Sequence, residues 1–246
     1  MTPRSRITRS DRRVSVVVRW LSAGALALSM LLPSATAPVQ AAPLRAAAVS
    51  PVSASTTHVY LLRGVLNIFS LGLDDIAAQL RAQGIPVTVA NFISWSSLAD
   101  EAAAGYRSGQ IKTVILVGHS SGATALPDMI AKLGQLGVPV KLAIGLDSVF
   151  KTKLVAGNAE RYINFYIANG AGEPVRRDDG FRGKLENVDV ESVPGVGHVT
   201  IEKNAIMQQK VIGAIDSVVF GGRRQPGPAP VAAGRQRAAS AAGSRN

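Results

Sequence analysis

The chain has 246 residues, with 27 Lys and Arg against 16 Asp and Glu, three His and no Cys. That length suits one well-buried domain or at most two small ones, and a 47% hydrophobic content excludes a disordered protein. The lack of Cys rules out disulfides, thiolate metal sites, a cysteine nucleophile and a lipidated N-terminal Cys, and His58, His119 and His198 are too scattered to suggest a zinc cluster.

The formal net charge of +11 sits at the two ends. Residues 1–41 carry six Arg and one acid, residues 221–246 carry five Arg and no acid, and residues 42–220 hold 16 basic against 15 acidic side chains. A nucleic-acid-binding domain concentrates its basic residues on a folded face, so no nucleic-acid partner is expected. At the N-terminus an Arg-rich stretch to Arg19 precedes the uncharged run Trp20–Leu32, then Pro33 and a small-residue segment ending Val39-Gln40-Ala41. This pattern predicts an export signal cleaved after Ala41 rather than after Ala37, where Pro38 would follow the cut, and hence a periplasmic or secreted protein. Arg12-Arg13 has the form of a twin-arginine signal, although Asp11 precedes the pair and Ser15 stands where a bulky apolar residue is usual.

Residues 42–56 are Ala-, Ser- and Pro-rich and read as a linker, which leaves a folded unit over 57–220. The stretch 221–246 is Gly, Pro, Ala, Arg and Ser and cannot offset its own ordering entropy. It is expected to be a disordered basic tail, with weak attachment to an anionic envelope surface as its alternative role.

Inside the unit, short apolar runs alternate with amphipathic stretches. His58–Arg63 is a buried-strand run, and Leu73–Gln83 has apolar positions at helical spacing before Gly84. Pro86–Ala90 predicts a second strand, and Ser97 with Asp100 has the form of a capping box for a helix ending near Arg107. Lys112–Gly118 is the most strongly apolar, β-branched run, followed by a helix over Ser121–Leu136 with an expected kink at Pro127. Strands are then expected at Val138–Leu146, Arg161–Ala168 and Asn187–Val193, with a closing helix over Thr200–Val219. The alternation predicts an α/β fold, a mostly parallel central sheet with helices on both faces and any ligand at the carboxyl ends of the strands. Neither Gly-rich nucleotide fingerprint is present.

Gly118-His119-Ser120-Ser121-Gly122 fits Gly-x-Ser-x-Gly and falls between the strongest strand and a helix. Such a turn holds a serine exposed with a helix N-terminus behind it, which makes Ser120 a candidate nucleophile and the Ser121 amide a candidate oxyanion donor. Of the three His, His58 opens a strand and His119 lies inside the turn, so His198 is the candidate base. Asp147 ends the fourth strand and is preferred as the acid; Asp178 or Asp179, in a polar loop after the fifth strand together with Glu173, are the alternatives.

The element order with Gly118–Gly122, Asp147 and His198 resembles the α/β-hydrolase superfamily over essentially all of 57–220. Leu146-Asp147-Ser148 is similar to the acid position of its thioesterase-type members, and Tyr60–Gly64 with Phe69–Asp74 resembles small exported bacterial hydrolases. Only about 14 residues separate Asp147 from Arg161, which leaves little room for the lid domain that many lipases insert there and predicts a compact fold. The resemblance implies a second oxyanion donor at Gly64 or Val65. Many lipases have His-Gly here and this chain has Arg63-Gly64, so Arg63 either faces the pocket and binds an anionic group or forms a structural ion pair. Phe69, Phe92, Trp95 and Phe150 lie near strand ends, where they either line an acyl pocket or belong to the core. The expected activity is hydrolysis of a carboxylic ester or thioester of a small or lipid-like acyl substrate, with no metal or organic cofactor. A non-catalytic binding protein or envelope-associated protein keeping the same fold is the alternative.

Overall fold

The computed structural model describes residues 54–65, 67–150 and 154–221. The expected export signal, residues 42–53 of the expected linker and the tail beyond Gly221 lie outside the described residues, as does the side chain of Phe69.

Six strands form one sheet: β1 (Thr57–Arg63), β2 (Val87–Asn91), β3 (Thr113–His119), β4 (Val140–Leu146), β5 (Arg161–Tyr166) and β6 (Lys184–Asp189). Their spatial order is β2-β1-β3-β4-β5-β6, and every pairing is parallel. Four helices connect or close the strands: α1 (Gly72–Ala82), α2 (Trp95–Arg107), α3 (Ser121–Gln135) and α4 (Ala205–Val219).

The period-two geometry of a strand divides its side chains between two cores. Val59, Leu61, Ile115, Val117, Leu142 and Ile144 pack under α1 and α4 against Leu73, Ile76, Met207 and Ile215. Their neighbours Tyr60, Leu62, Val114, Leu116 and Ala143 face α2 and α3, against Leu98, Ala102, Leu126 and Met129. All seven residues of β3 are buried, as a central strand covered on both faces requires.

The departures from expectation lie at element ends. β6 begins three residues earlier than its apolar pattern suggested, because an edge strand buried on one side only can be Lys-Leu-Glu-Asn-Val-Asp; its register comes from pairing Arg161 with Lys184. α2 starts at Trp95, after a 3-10 turn over Phe92–Ser94 capped by the Asn91 side chain on the Ile93 amide. The Ser97–Asp100 capping box does not form: Ser97 Oγ donates to the Ser94 carbonyl, and Asp100 pairs with Lys132 at 2.6 Å. α3 continues through Pro127. α4 starts at Ala205 rather than Thr200, capped by Asn204, whose side chain accepts from the amides of Ile206 and Met207.

The sheet is wound in both directions from the pair β1 and β3. The chain leaving β1 enters α1 on one face, whereas the chain leaving β3 enters α3 on the other. Such a reversal opens a crevice beyond the carboxyl ends of the two strands.

Candidate active site

Ser120 stands at the carboxyl end of β3, between that strand and α3, with φ 58° and ψ −125°. A positive φ on a residue with a Cβ is strained and persists only where its surroundings fix it. Here the Ser120 amide donates to the Leu146 carbonyl at 3.0 Å, and its carbonyl accepts from the Thr124 amide at 3.1 Å. The turn is tight enough to exclude side chains on either side. A Cβ on Gly118 would lie 2.4 Å from the Gly122 carbonyl group, and one on Gly122 would lie 2.0 Å from the Leu62 oxygen.

His198 reaches Ser120 from the loop after β6. Its Nε2 lies 3.1 Å from Ser120 Oγ, and its Nδ1 lies 2.7 Å from Asp147 Oδ2. Asp147 is fully buried just past β4, also at positive φ (45°). Its amide donates to the Phe165 carbonyl at 2.8 Å, and its Oδ1 accepts from the Ile167 amide at 3.1 Å. The second carboxylate oxygen is thereby left for the imidazole. His198 keeps 31% of its side chain exposed, so the line of groups runs from a buried acid to a half-buried serine.

The other acids face elsewhere. Asp178 Oδ1 accepts from the Gly180 amide at 3.0 Å, the Asp179 carbonyl accepts from Arg182, and both acids line a surface cavity of about 430 Å³ with Arg177, Phe181 and Arg182. Glu173 is exposed and offers its backbone oxygen to Asn164. Arg63 forms an ion pair with Asp74 at the start of α1. Trp95 is half-buried and packs with Phe92 against the α2–α3 core, whereas Phe150 is 79% exposed.

Of the two amides expected after β1, that of Gly64 is already engaged. It donates to Ser70 Oγ at 3.1 Å, even though Gly64 lies so close to the serine that a Cβ on it would be 2.9 Å from Ser120 Cβ. Val65 is exposed, and its amide has no hydrogen-bond partner among the described residues. Ser121 is the first residue of α3, where an amide has no acceptor within the helix.

Behind the serine lies a second set of polar groups. Ser70 Oγ is 2.8 Å from His119 Nδ1, and His119 Nε2 is 2.8 Å from the His198 carbonyl oxygen. Both Ser70 and His119 are buried. Burial lowers the His119 pKa to about 4, overcoming the opposing effect of its bond to the His198 backbone. Glu202 is also buried, 3.9 Å from His119 Nε2 and 3.3 Å from Lys203 Nζ, and burial raises its pKa above the usual carboxylate value. Ser70 lies in the segment Phe69–Asp74 that carried a resemblance, but nothing there assigned it a role, and Glu202 had no signal, because what defines both is contact across the fold.

No family model matches the chain, and no curated protein does. Among solved structures it is similar to the type II thioesterase BorB of the borrelidin biosynthetic cluster, at 12% identity and TM-score 0.48 over 70% of this chain and 94% of the other. It is also similar to human thioesterase 2, at 8% identity and TM-score 0.49 over 70% and 99%, and to a metagenomic carboxyl esterase, at 14% and 0.41 over 70% and 77%. With each of these three scores below 0.5, the sheet order and the turn at Ser120 carry the fold assignment.

Proposed function

We propose that this chain, which has the α/β-hydrolase fold, is a serine hydrolase that cleaves a carboxylic ester or thioester through an acyl-enzyme. The observation that carries this reading is the unbroken line Asp147 Oδ2–His198 Nδ1, His198 Nε2–Ser120 Oγ, at 2.7 and 3.1 Å, ending on a serine held at positive φ over a helix N-terminus.

His198 Nε2 takes the Ser120 proton as Oγ attacks the acyl carbonyl carbon. Asp147 keeps the other ring proton on Nδ1, so that Nε2 is the free base, and stabilises the imidazolium that forms. The amides of Ser121 and Val65 bind the tetrahedral oxyanion. The imidazolium then protonates the leaving alcohol or thiol, and a water activated by the same imidazole releases the acid.

A lipid-like acyl group is supported by where the apolar surface lies. Among the described residues the exposed large apolar side chains all follow the carboxyl end of a strand: Val65, Ile68 and Leu71 after β1, Ile93 after β2, Phe150 and Leu154 after β4, Val199 and Ile206 after β6. Val65 and Val199 adjoin in sequence Gly64 and His198, which flank the serine. A rim of this kind favours an acyl chain over a polar substituent. Export to the periplasm or beyond is part of the same reading and is supported by the N-terminal sequence pattern.

The test is labelling of the protein with a fluorophosphonate, read by intact mass and peptide mapping. A single adduct on Ser120, absent in Ser120→Ala and much slowed in His198→Ala, is expected. A folded protein that takes no label would instead support a binding role for the same fold.

A further inference from the structure

We propose that Ser70 and His119 are positioning residues, which set the distance between the loop carrying the oxyanion amide and the loop carrying the base. Only the kinetic consequence rests on the serine-hydrolase reading; the linkage itself is a property of the free protein.

Two loops must meet at Ser120. One leaves β1 at Gly64, and the other leaves β6 with His198, yet β3, β4 and β5 stand between those strands. Strands are spaced by about 4.8 Å, so the His198 loop returns across most of the sheet to reach the serine. His119, the last residue of β3, meets both loops: its Nδ1 meets Ser70 of the β1 side and its Nε2 meets the His198 backbone.

The chemistry of the groups gives the chain a single direction. A backbone carbonyl only accepts, so the His198 oxygen requires the proton of His119 on Nε2. In the neutral ring Nδ1 is then an acceptor, and the Ser70 hydroxyl donates to it. The Ser70 oxygen accepts in turn from the Gly64 N–H, at 3.1 Å. Every polar atom in the sequence Gly64 N–H, Ser70 Oγ–H, His119 Nδ1, His119 Nε2–H, His198 carbonyl has a partner, and Gly64, Ser70 and His119 are buried. Burial keeps His119 neutral around pH 7, although Asp147 acts to raise its pKa and His198 and Lys203 to lower it.

The arrangement also explains why Gly64 does not supply the second oxyanion amide. With its N–H fixed on Ser70, Gly64 places the next residue, Val65, relative to the serine. Removing Ser70 Oγ frees the Gly64 amide and leaves Nδ1 of a buried ring unpaired. Both arms of the site then lose their common reference, and errors of about 1 Å in such a site cost on the order of a hundredfold in rate.

The experiment pairs spectroscopy of the full chain with kinetics on p-nitrophenyl butyrate. In the wild type, ring 15N spectra should show His119 protonated on Nε2 and bare on Nδ1. Ser70→Ala should shift the Gly64 amide and the His198 ring resonances together, lower kcat about 10- to 100-fold and leave KM within about threefold. Ser70→Thr, which keeps the hydroxyl, should restore kcat to within about threefold of wild type. A folded Ser70→Ala protein with unmoved His198 resonances, or with wild-type kcat, overturns the proposal. His119→Gln, which keeps a donor for the His198 carbonyl and loses the Ser70 link, should reproduce the Gly64 shift; an unmoved Gly64 amide there overturns it too. If the wild type neither hydrolyses esters nor labels at Ser120, the hydrolase reading fails alone, and the spectra still decide the linkage.

Discussion

Gly172 sits against Asp147 so closely that a Cβ added to it would lie 2.2 Å from Oδ1, the oxygen bonded to the Ile167 amide. The carboxylate is therefore wedged between a backbone amide and a residue without a side chain, and its second oxygen can only face His198. Gly172→Ala is expected to rotate the carboxylate away and reduce kcat about a hundredfold. Steady-state kinetics beside a thermal melt would check this, the melting temperature moving much less than the rate.

Asp147→Asn separates the three candidate aspartates Asp147, Asp178 and Asp179. An amide at this position can donate to Nδ1 and so trap the wrong tautomer, with kcat lower by about 10⁴-fold. Asp178→Asn and Asp179→Asn are expected to leave kcat at the wild-type value, since both acids are held in a separate turn. Equal losses in all three variants would remove Asp147 from its assigned role.

The apolar rim makes a prediction about chain length. Ile93 is 74% and Phe150 79% exposed, so neither contributes much to folding. Ile93→Ser and Phe150→Ser should lower kcat/KM for a dodecanoyl ester about tenfold each while leaving a butyryl ester within about twofold. The ratio of the two substrates in one preparation is the measurement, and an unchanged ratio would count against a lipid-like acyl group.

Acid should destabilise the protein through His119. Its folded pKa of about 4 lies below the unfolded value of 6.5, so the unfolded state binds the extra proton between those values. Stability from this group is complete above pH 6.5 and declines as the pH falls towards 4, by about 3 kcal/mol in all. Glu202, raised by burial, acts in the opposite sense above its unfolded value of 4.5. Urea unfolding of wild type and His119→Gln at pH 7 and pH 4.5 isolates the histidine: the wild type should lose more on acidification than the variant.

The cap of α4 offers a test of stability, with Asn204 Nδ2 also donating to the Pro194 carbonyl at 2.9 Å in the loop that carries His198. Asn204→Ala removes the acceptor for the Ile206 and Met207 amides and should cost about 1 kcal/mol, or about 2–4 °C in Tm.

The sequence made the buried parts of this fold readable and the half-exposed parts obscure. β3 could be found because all seven of its residues face protein, which demands a continuous apolar run. The start of β6 is obscure because it opens Lys184-Leu185-Glu186, and an edge strand imposes no such demand. Ser97 and Asp100 had the spacing of a capping box, yet Lys132, 32 positions further on, provides Asp100 with a closer partner than the helix end does. Ser120 and His198 could be singled out by position, because the nucleophile turn is a local motif and the rival histidines lie in strands or in the turn itself. Gly64 was different. Its engagement depends on Ser70, and the role of Ser70 depends on His119 49 positions away, so no local pattern could have separated Gly64 from Val65.

The half-exposed character of β6 bears on how the protein would fail. This strand pairs with β5 alone and leads directly into the loop that carries His198. An edge element with few buried contacts opens at a lower free energy than the centre of the sheet. Hydrogen exchange should therefore be faster in 184–189 than in 113–119, and mild denaturant should abolish turnover while the circular dichroism of the remaining sheet is still native. Ser120 and Asp147 directly follow the two central strands β3 and β4, whereas His198 follows the half-exposed edge strand β6, so under the proposed mechanism the working life of the site is shorter than that of the fold around it.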